Sequence, residues 1–300
     1  MLLEELASKK TVNIDFHNHC QTGGKFKENE SPLAEGFSNL VGLLDKIRKS
    51  SLDILYVTNY GGDDQRLENW TSPEQLHLAR EAGYEVEQGD YYTFFKKDNE
   101  INGLGKSQEV PTNQGHALFA GLKRNKQISS GKSLDETLAE ATDNESKIAD
   151  HPYAIVEKSG ILMYSRRRKQ DAQKFDALEK NGNFSFFSMP FSLANYFARR
   201  AGKKYRKPVV ANSDGHHPKD IGKTYNIFKA KDLDYSSEKT LRDSINYAVK
   251  NDNFETRFTP IPFWRVFHHV LMVGIYIIKG KLSKIRERTG YEPAFAPAPA

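Results

Sequence analysis

The chain has 300 residues, 38% hydrophobic and 28% charged, with one cysteine and a net charge of +5. That length buries a substantial core as one large α/β domain or two small ones, and the composition is that of a soluble globular protein. The modest positive charge favours anionic small molecules or nucleic acid ends without demanding a nucleic-acid-binding role. Cys20 alone excludes an internal disulfide framework and fits a reducing cytoplasm, and residues 1–10 carry Glu4 and Glu5 without the long apolar run of a signal peptide.

In chain order, a strand is predicted over 12–16 and a helix over 40–49, where Leu40, Leu43, Leu44 and Ile47 share one face. A strand over 54–58 precedes a helix over 72–83, with Pro73 near its start and Gly83 as its stop. Strands over 116–122 and 147–150 flank a helix over 133–142, and a further helix is predicted over 171–180. Strands over 184–188 and 208–212 flank a last helix over 193–201. Alternating strands and helices predict an α/β fold with a parallel sheet or barrel, whose chemistry gathers at the carboxyl ends of the strands.

The character changes near residue 250. Residues 263–278 are apolar almost all round, interrupted by Arg265, His268, His269 and Gly274, and residues 279–288 are basic. The run is too short and interrupted for a membrane span. It predicts a C-terminal helix over 251–290 that closes over the body or contacts a membrane surface or protein partner through 263–288. The Pro/Ala-rich tail 291–300 is predicted to be disordered.

The chemistry is carried by polar residues beside the strand-like runs. His17 and His19 lie two apart on an extended segment, so both imidazoles face one side and grip one ion. Glu109, His116, His151, Asp214 and His216 follow, and six of the nine histidines fall in this set or beside it at His217. His17, His19, Glu109 and Asp214 complete one metal position; Glu109, His116 and His151 form a second, with Glu109 as the bridge. Asp15 faces the same side and is a candidate for fixing a histidine tautomer. Paired divalent ions supply a nucleophile and charge neutralisation for hydrolysis at phosphorus.

The ordered motifs Asp-Phe-His-Asn-His (15–19), Gln-Glu-Val-Pro-Thr-Asn-Gln-Gly-His (108–116), Asp-His-Pro-Tyr (150–153) and Asn-Ser-Asp-Gly-His-His-Pro (212–218) resemble the PHP (polymerase and histidinol phosphatase) family of metal-dependent phosphoesterases. The resemblance covers roughly residues 11–230, within a domain expected over 11–250. It implies a distorted (β/α)7 barrel with a C-terminal helical extension, and hydrolysis of a phosphomonoester or phosphodiester by a metal-bridged hydroxide. It also implies that Glu109, Asp214 and His216 are catalytic, and that His216 matches a ligand of a third metal. The family's second strand typically ends in Thr-Asp-His, whereas this chain has Thr58-Asn59-Tyr60. Gln21-Thr22-Gly23-Gly24 stand where an acid or histidine is usual. Two of the third site's three ligands are therefore missing, and a site for two ions of Mn, Zn or Fe is expected.

Tyr60 and His216 are then expected to contact a small phosphorylated substrate or a nucleic acid end. Lys25, Lys106, Arg124 and Lys219 flank the motifs; Lys106 and the run Arg166, Arg167, Arg168 are the cations chosen for binding the anion. An amidohydrolase-type barrel also opens with His-x-His, but Glu109 in the middle and Asp214-x-His216 at the end favour phosphoester chemistry. A binding or regulatory module with an impaired metal centre is the non-enzymatic alternative.

Overall fold

The computed structural model describes residues 2–20, 37, 39–61, 65–154, 159–182 and 191–260. The strand expected over 184–188, Gln21 to Lys25, the segment 263–288 and the tail 291–300 lie outside the described residues.

Helix α1 (Leu2–Ala7) precedes β1 (Thr11–Asn18), and α2 (Leu40–Arg48) leads to β2 (Ile54–Tyr60). Helices α3 (Arg66–Trp70) and α4 (Pro73–Glu81) are followed by β3 (Glu85–Gln88), β4 (Tyr92–Lys97), β5 (Glu100–Thr112) and β6 (Gly115–Leu122). Then come α5 (Leu134–Glu140), β7 (Ser146–Ala149), α6 (Ile161–Tyr164), α7 (Arg168–Gln173) and β8 (Ala177–Asn181). Helix α8 (Phe191–Tyr205), β9 (Val209–Asn212), β10 (Thr224–Lys229), α9 (Glu238–Lys250) and β11 (Glu255–Phe258) complete the fold.

The helix starts follow local chemistry. Asn39 caps α2 by accepting from the Gly42 N–H, and Ser72 caps α4 ahead of Pro73. Ser133 and Glu136 form a reciprocal capping box on α5. The helix expected over 171–180 is corrected: α7 ends at Gln173 and residues 177–181 form β8. The reason is tertiary, because β8 runs parallel between β7 and β9 with four of its five residues buried.

Seven strands in the order β1-β2-β5-β6-β7-β8-β9 curve round into a nearly closed barrel. The sheet is mixed: β6 is antiparallel to both β5 and β7, and β10 joins β1 antiparallel at the open seam. Between β9 and β1 there is no continuous ladder; a bridge from Asn18 to Gly215 and the Asn226 side chain span the gap. Phe16, Ile14, Tyr56, Phe94, Leu118, Ile148, Val210 and Phe228 belong to one buried cluster that also takes Leu2, Leu3 and Leu6 of α1. Two outer clusters pack helices on the sheet, α2 to α4 against β2 and α5 to α8 against β6 and β7. A distorted α/β barrel is thus the fold.

Candidate metal centre

The parallel strands deliver their carboxyl ends to one rim, and antiparallel β6 delivers its first residues there. His17 is the last residue but one of β1, with His19 just beyond the strand; Glu109 lies near the end of β5 and His116 at the start of β6. Asp150 and His151 follow β7, Glu179 lies on β8, and Asp214 follows β9. Asp214 has φ 49°, a left-handed conformation that costs a non-glycine residue energy and here turns the carboxylate inward. Its N–H donates to the His17 carbonyl at 2.8 Å, tying the ends of β9 and β1 together.

The donor atoms converge. The Nε2 atoms of His17 and His19 are 3.0 Å apart, and Asp214 Oδ1 lies 3.4 and 3.5 Å from them. Glu109 is shared between two groups. Its Oε2 lies 3.7 Å from His17 Nε2 and 3.0 Å from His19 Nε2, while its Oε1 lies 2.5 Å from His116 Nδ1 and 3.4 Å from His151 Nε2. His17, His19 and Asp214 form one set of candidate ligands whose atoms lie within 4.8 Å of one another; Glu109, His116, Asp150 and His151 form a second.

Electrostatics explains why such a cluster calls for a cation. Burial alone would lower the His17 pKa, but Asp150, Glu179 and Asp214 hold it well above its ordinary value. His151 is raised likewise by Asp150 and Glu109 against the effect of burial. Burial pushes Asp150 up to about 7. Burial also depresses His19, whose neighbours include His17 and His216. Without an ion, protons held by His17, His151 and Asp150 offset the charge of the buried carboxylates. Mixed imidazole and carboxylate donors, buried and converging at 3.0–3.7 Å, suit divalent Mn, Zn or Fe, so the residues present fit the implied ions.

Glu179 was not anticipated. Its Oε1 accepts from His17 Nδ1 and Asn212 Nδ2, both at 2.9 Å, and its Oε2 accepts from the His151 N–H and Asn181 Nδ2, again at 2.9 Å. Burial opposes its ionisation, yet His17 and these contacts hold its pKa below the ordinary glutamate value. It therefore fixes the His17 proton on Nδ1 and leaves Nε2 for the cluster. The tautomer role expected of Asp15 is corrected: its Oδ1 accepts from the His17 and Ser213 N–H groups and its Oδ2 from the Ser213 hydroxyl.

Tyr60 is 45% exposed at the end of β2, its ring 6.3 Å from that of His19 and 6.0 Å from that of His116. The His216 ring stacks 4.6 Å from His19, and its Nδ1 lies 2.9 Å from the Asp214 carbonyl, so His216 stands beside the ligand groups. Burial lowers its pKa to about 4. The substrate-binding role expected of Lys106 is corrected by burial: its ammonium is wholly enclosed and donates to Glu68 and to the Arg124 carbonyl. Arg124 itself is engaged by Gly89, Thr71 and Thr93. Arg166 and Arg167 are exposed between α6 and α7 and Arg168 is exposed at the start of α7, and among the described residues none contacts a cluster side chain. A basic cavity of about 610 Å³ lined by Arg199, Lys203, Arg206 and Lys207 opens at the amino end of β9, the far end of that strand from Asp214.

No curated protein matches the chain. The solved structure of PsfC from Pseudomonas syringae PB-5123 is similar in fold, with a TM-score of 0.55 at 14% identity over 89% of this chain and 98% of that one. A two-domain protein containing a predicted PHP-like metal-dependent phosphoesterase, from Bacteroides vulgatus ATCC 8482, gives a TM-score of 0.49 at 16% identity over 83% of this chain and 65% of that one. The PHP-associated family model matches residues 192–247, which include β9, the Asp214 turn and β10. That match, the four ordered motifs and a nearly closed barrel whose rim gathers their histidines and carboxylates make the chain similar to the PHP family.

Proposed function

We propose that the protein is a metal-dependent phosphoesterase acting on a phosphomonoester or phosphodiester of a small anionic substrate. One observation carries this reading: the two oxygens of Glu109 face two different sets of candidate ligands. His17, His19, Asp214 and Glu109 would hold one divalent ion, and Glu109, His116 and His151 would hold a second. Divalent ions held there supply the Lewis acidity and charge neutralisation that phosphoester hydrolysis needs, and ease the deprotonation of water.

The chain's own residues do the rest. Glu179 holds the His17 proton at Nδ1, and Asn181 donates to Asp214 Oδ2 at 3.0 Å, so both ligands are pre-oriented. The Asp214 carbonyl accepts from His216 Nδ1, which leaves Nε2 as the basic nitrogen of that ring. His216, kept neutral by burial, and the exposed Tyr60 border the side from which substrate enters.

Metal analysis and phosphate release from a panel of phosphorylated metabolites test the reading together. Wild-type protein should retain divalent ions and release phosphate. Glu109→Ala should lose both ions, and activity should fall by more than the roughly hundredfold that loss of an outer partner costs. Full activity in that variant, or no metal in the wild type, overturns the assignment, and the latter outcome favours a binding module.

A further inference from the structure

His19 presents its two ring nitrogens to opposite demands. Nε2 faces the cluster, 3.0 Å from Glu109 Oε2. Nδ1 lies 3.2 Å from Arg66 Nη1. A guanidinium has only donors, so in this contact Nδ1 accepts and the single proton of the neutral ring sits on Nε2, facing Glu109. An ion held by His17, His19 and Asp214 needs the Nε2 lone pair, which sends that proton to Nδ1. There it meets an N–H of Arg66, donor against donor. The Arg66–His19 contact and metal ligation by His19 therefore exclude one another.

Arg66 is placed to do something else when it leaves. Asn59 Oδ1 accepts from the backbone N–H groups of Arg66 at 3.1 Å and Leu67 at 3.4 Å, anchoring the start of α3 at the rim. His216, Tyr60 and Arg66 are partly exposed, whereas His17, Glu109, His151 and Asp214 are buried, so an incoming anion passes Arg66 before reaching them. A planar fork of N–H donors matches the oxygens of a phosphate.

We propose that Arg66 is a substrate-anion arm: His19 holds it in the metal-free protein, and metal loading displaces it to donate to the phosphate oxygens of the substrate. The inference rests on the phosphoesterase reading above, which assigns no cation to the substrate once Lys106 is removed.

The two halves predict opposite signs. In calorimetric titrations of the full chain, Arg66→Gln removes a contact that competes with ligation, so Mn2+ should bind several-fold tighter. Inorganic phosphate should bind the Mn2+-loaded variant at least about tenfold more weakly than loaded wild type, having lost a charge-assisted pair. Arg66→Lys should show intermediate phosphate affinity, because a point charge replaces the fork. Both variants should unfold at the wild-type temperature in the metal-free state. Weaker Mn2+ binding in Arg66→Gln would show that Arg66 props up the ligand and would overturn the proposal, as would unchanged phosphate affinity. If wild type takes up no Mn2+, the phosphoesterase reading fails and this inference with it; Mn2+ uptake with phosphate affinity indifferent to Arg66 defeats this inference alone.

Discussion

Asp15 lies wholly inside the protein, where burial pushes its carboxyl up to about 7 despite hydrogen bonds from Ser213 and His17. The folded-state value stands above the ordinary 3.8, so the proton favours the fold. Its contribution is full below about pH 4 and is lost as the pH rises to about 7. At about 1.4 kcal/mol per unit this amounts to a few kcal/mol. Asparagine has nearly the same shape, with its oxygen accepting from the two N–H groups while the Ser213 hydroxyl turns its proton to the His17 carbonyl, 3.2 Å away. Asp15→Asn should therefore stabilise metal-stripped protein at pH 8 and flatten its stability between pH 4 and 7; urea titrations at several pH values measure this. A variant that loses stability at pH 8 would show that the charge itself is needed. Single residues of this kind were legible in the sequence only as types. His17, His19, Glu109, His116, His151 and Asp214 could be chosen because metals take few ligand types, but the direction in which Asp15 points depends on Ser213, far along the chain.

Among the strands that the sequence did not announce, which include β3, β4, β10 and β11, β5 and β8 carry residues of the candidate centre, and both are hidden for tertiary reasons. Gly103 and Gly105 weaken the strand pattern of residues 100–112, yet a Cβ would come within 2.8 Å of Phe94 at the first and 2.9 Å of Tyr56 at the second. The glycines are the space those barrel rings occupy. In β8 the run Ala-Leu-Glu-Lys-Asn shows no strand signal, because its polar members face partners supplied by other strands: Glu179 meets His17, and the Lys180 ammonium lies 3.4 Å from the Phe258 ring centroid. Glu179 was missed with its strand. All four of its described hydrogen-bond partners are donors, which only a carboxylate satisfies. In Glu179→Gln one amide nitrogen must face two N–H donors, and each donor left buried without an acceptor costs about 1–3 kcal/mol. That variant should unfold at a lower temperature and bind metal about 10–100-fold more weakly, since His17 loses its orienting charge. Metal titration of the folded variant checks this; unchanged affinity would reduce Glu179 to a packing role.

On the scale of the whole molecule, the candidate centre depends on a barrel that closes without a complete ladder. His17 and His19 come from the first strand and Asp214 from the far side of the seam, so their convergence requires β9 to stay against β1. Asn226 does much of this holding from β10: its Oδ1 accepts from the Ala211 N–H, and its Nδ2 lies 3.2 Å from the Ile14 carbonyl, 2.9 Å from the Ala211 carbonyl and 3.1 Å from Asn212 Oδ1. One side chain thus replaces backbone pairing among three strands. Asn226→Ala strands the Ala211 N–H and carbonyl in the interior, at about 1–3 kcal/mol for each group. Asn226→Asp keeps the acceptor for Ala211 but loses the donors. Both variants should unfold in less denaturant than wild type, and both should bind metal more weakly even where fully folded, because Asn212, which positions Glu179, ends the loosened strand and Asp214 follows it. Denaturant titration paired with metal calorimetry separates the effects. Lower stability with wild-type metal affinity would mean that the short Asp214 to His17 and His19 to Gly215 backbone bonds hold the seam at the site by themselves.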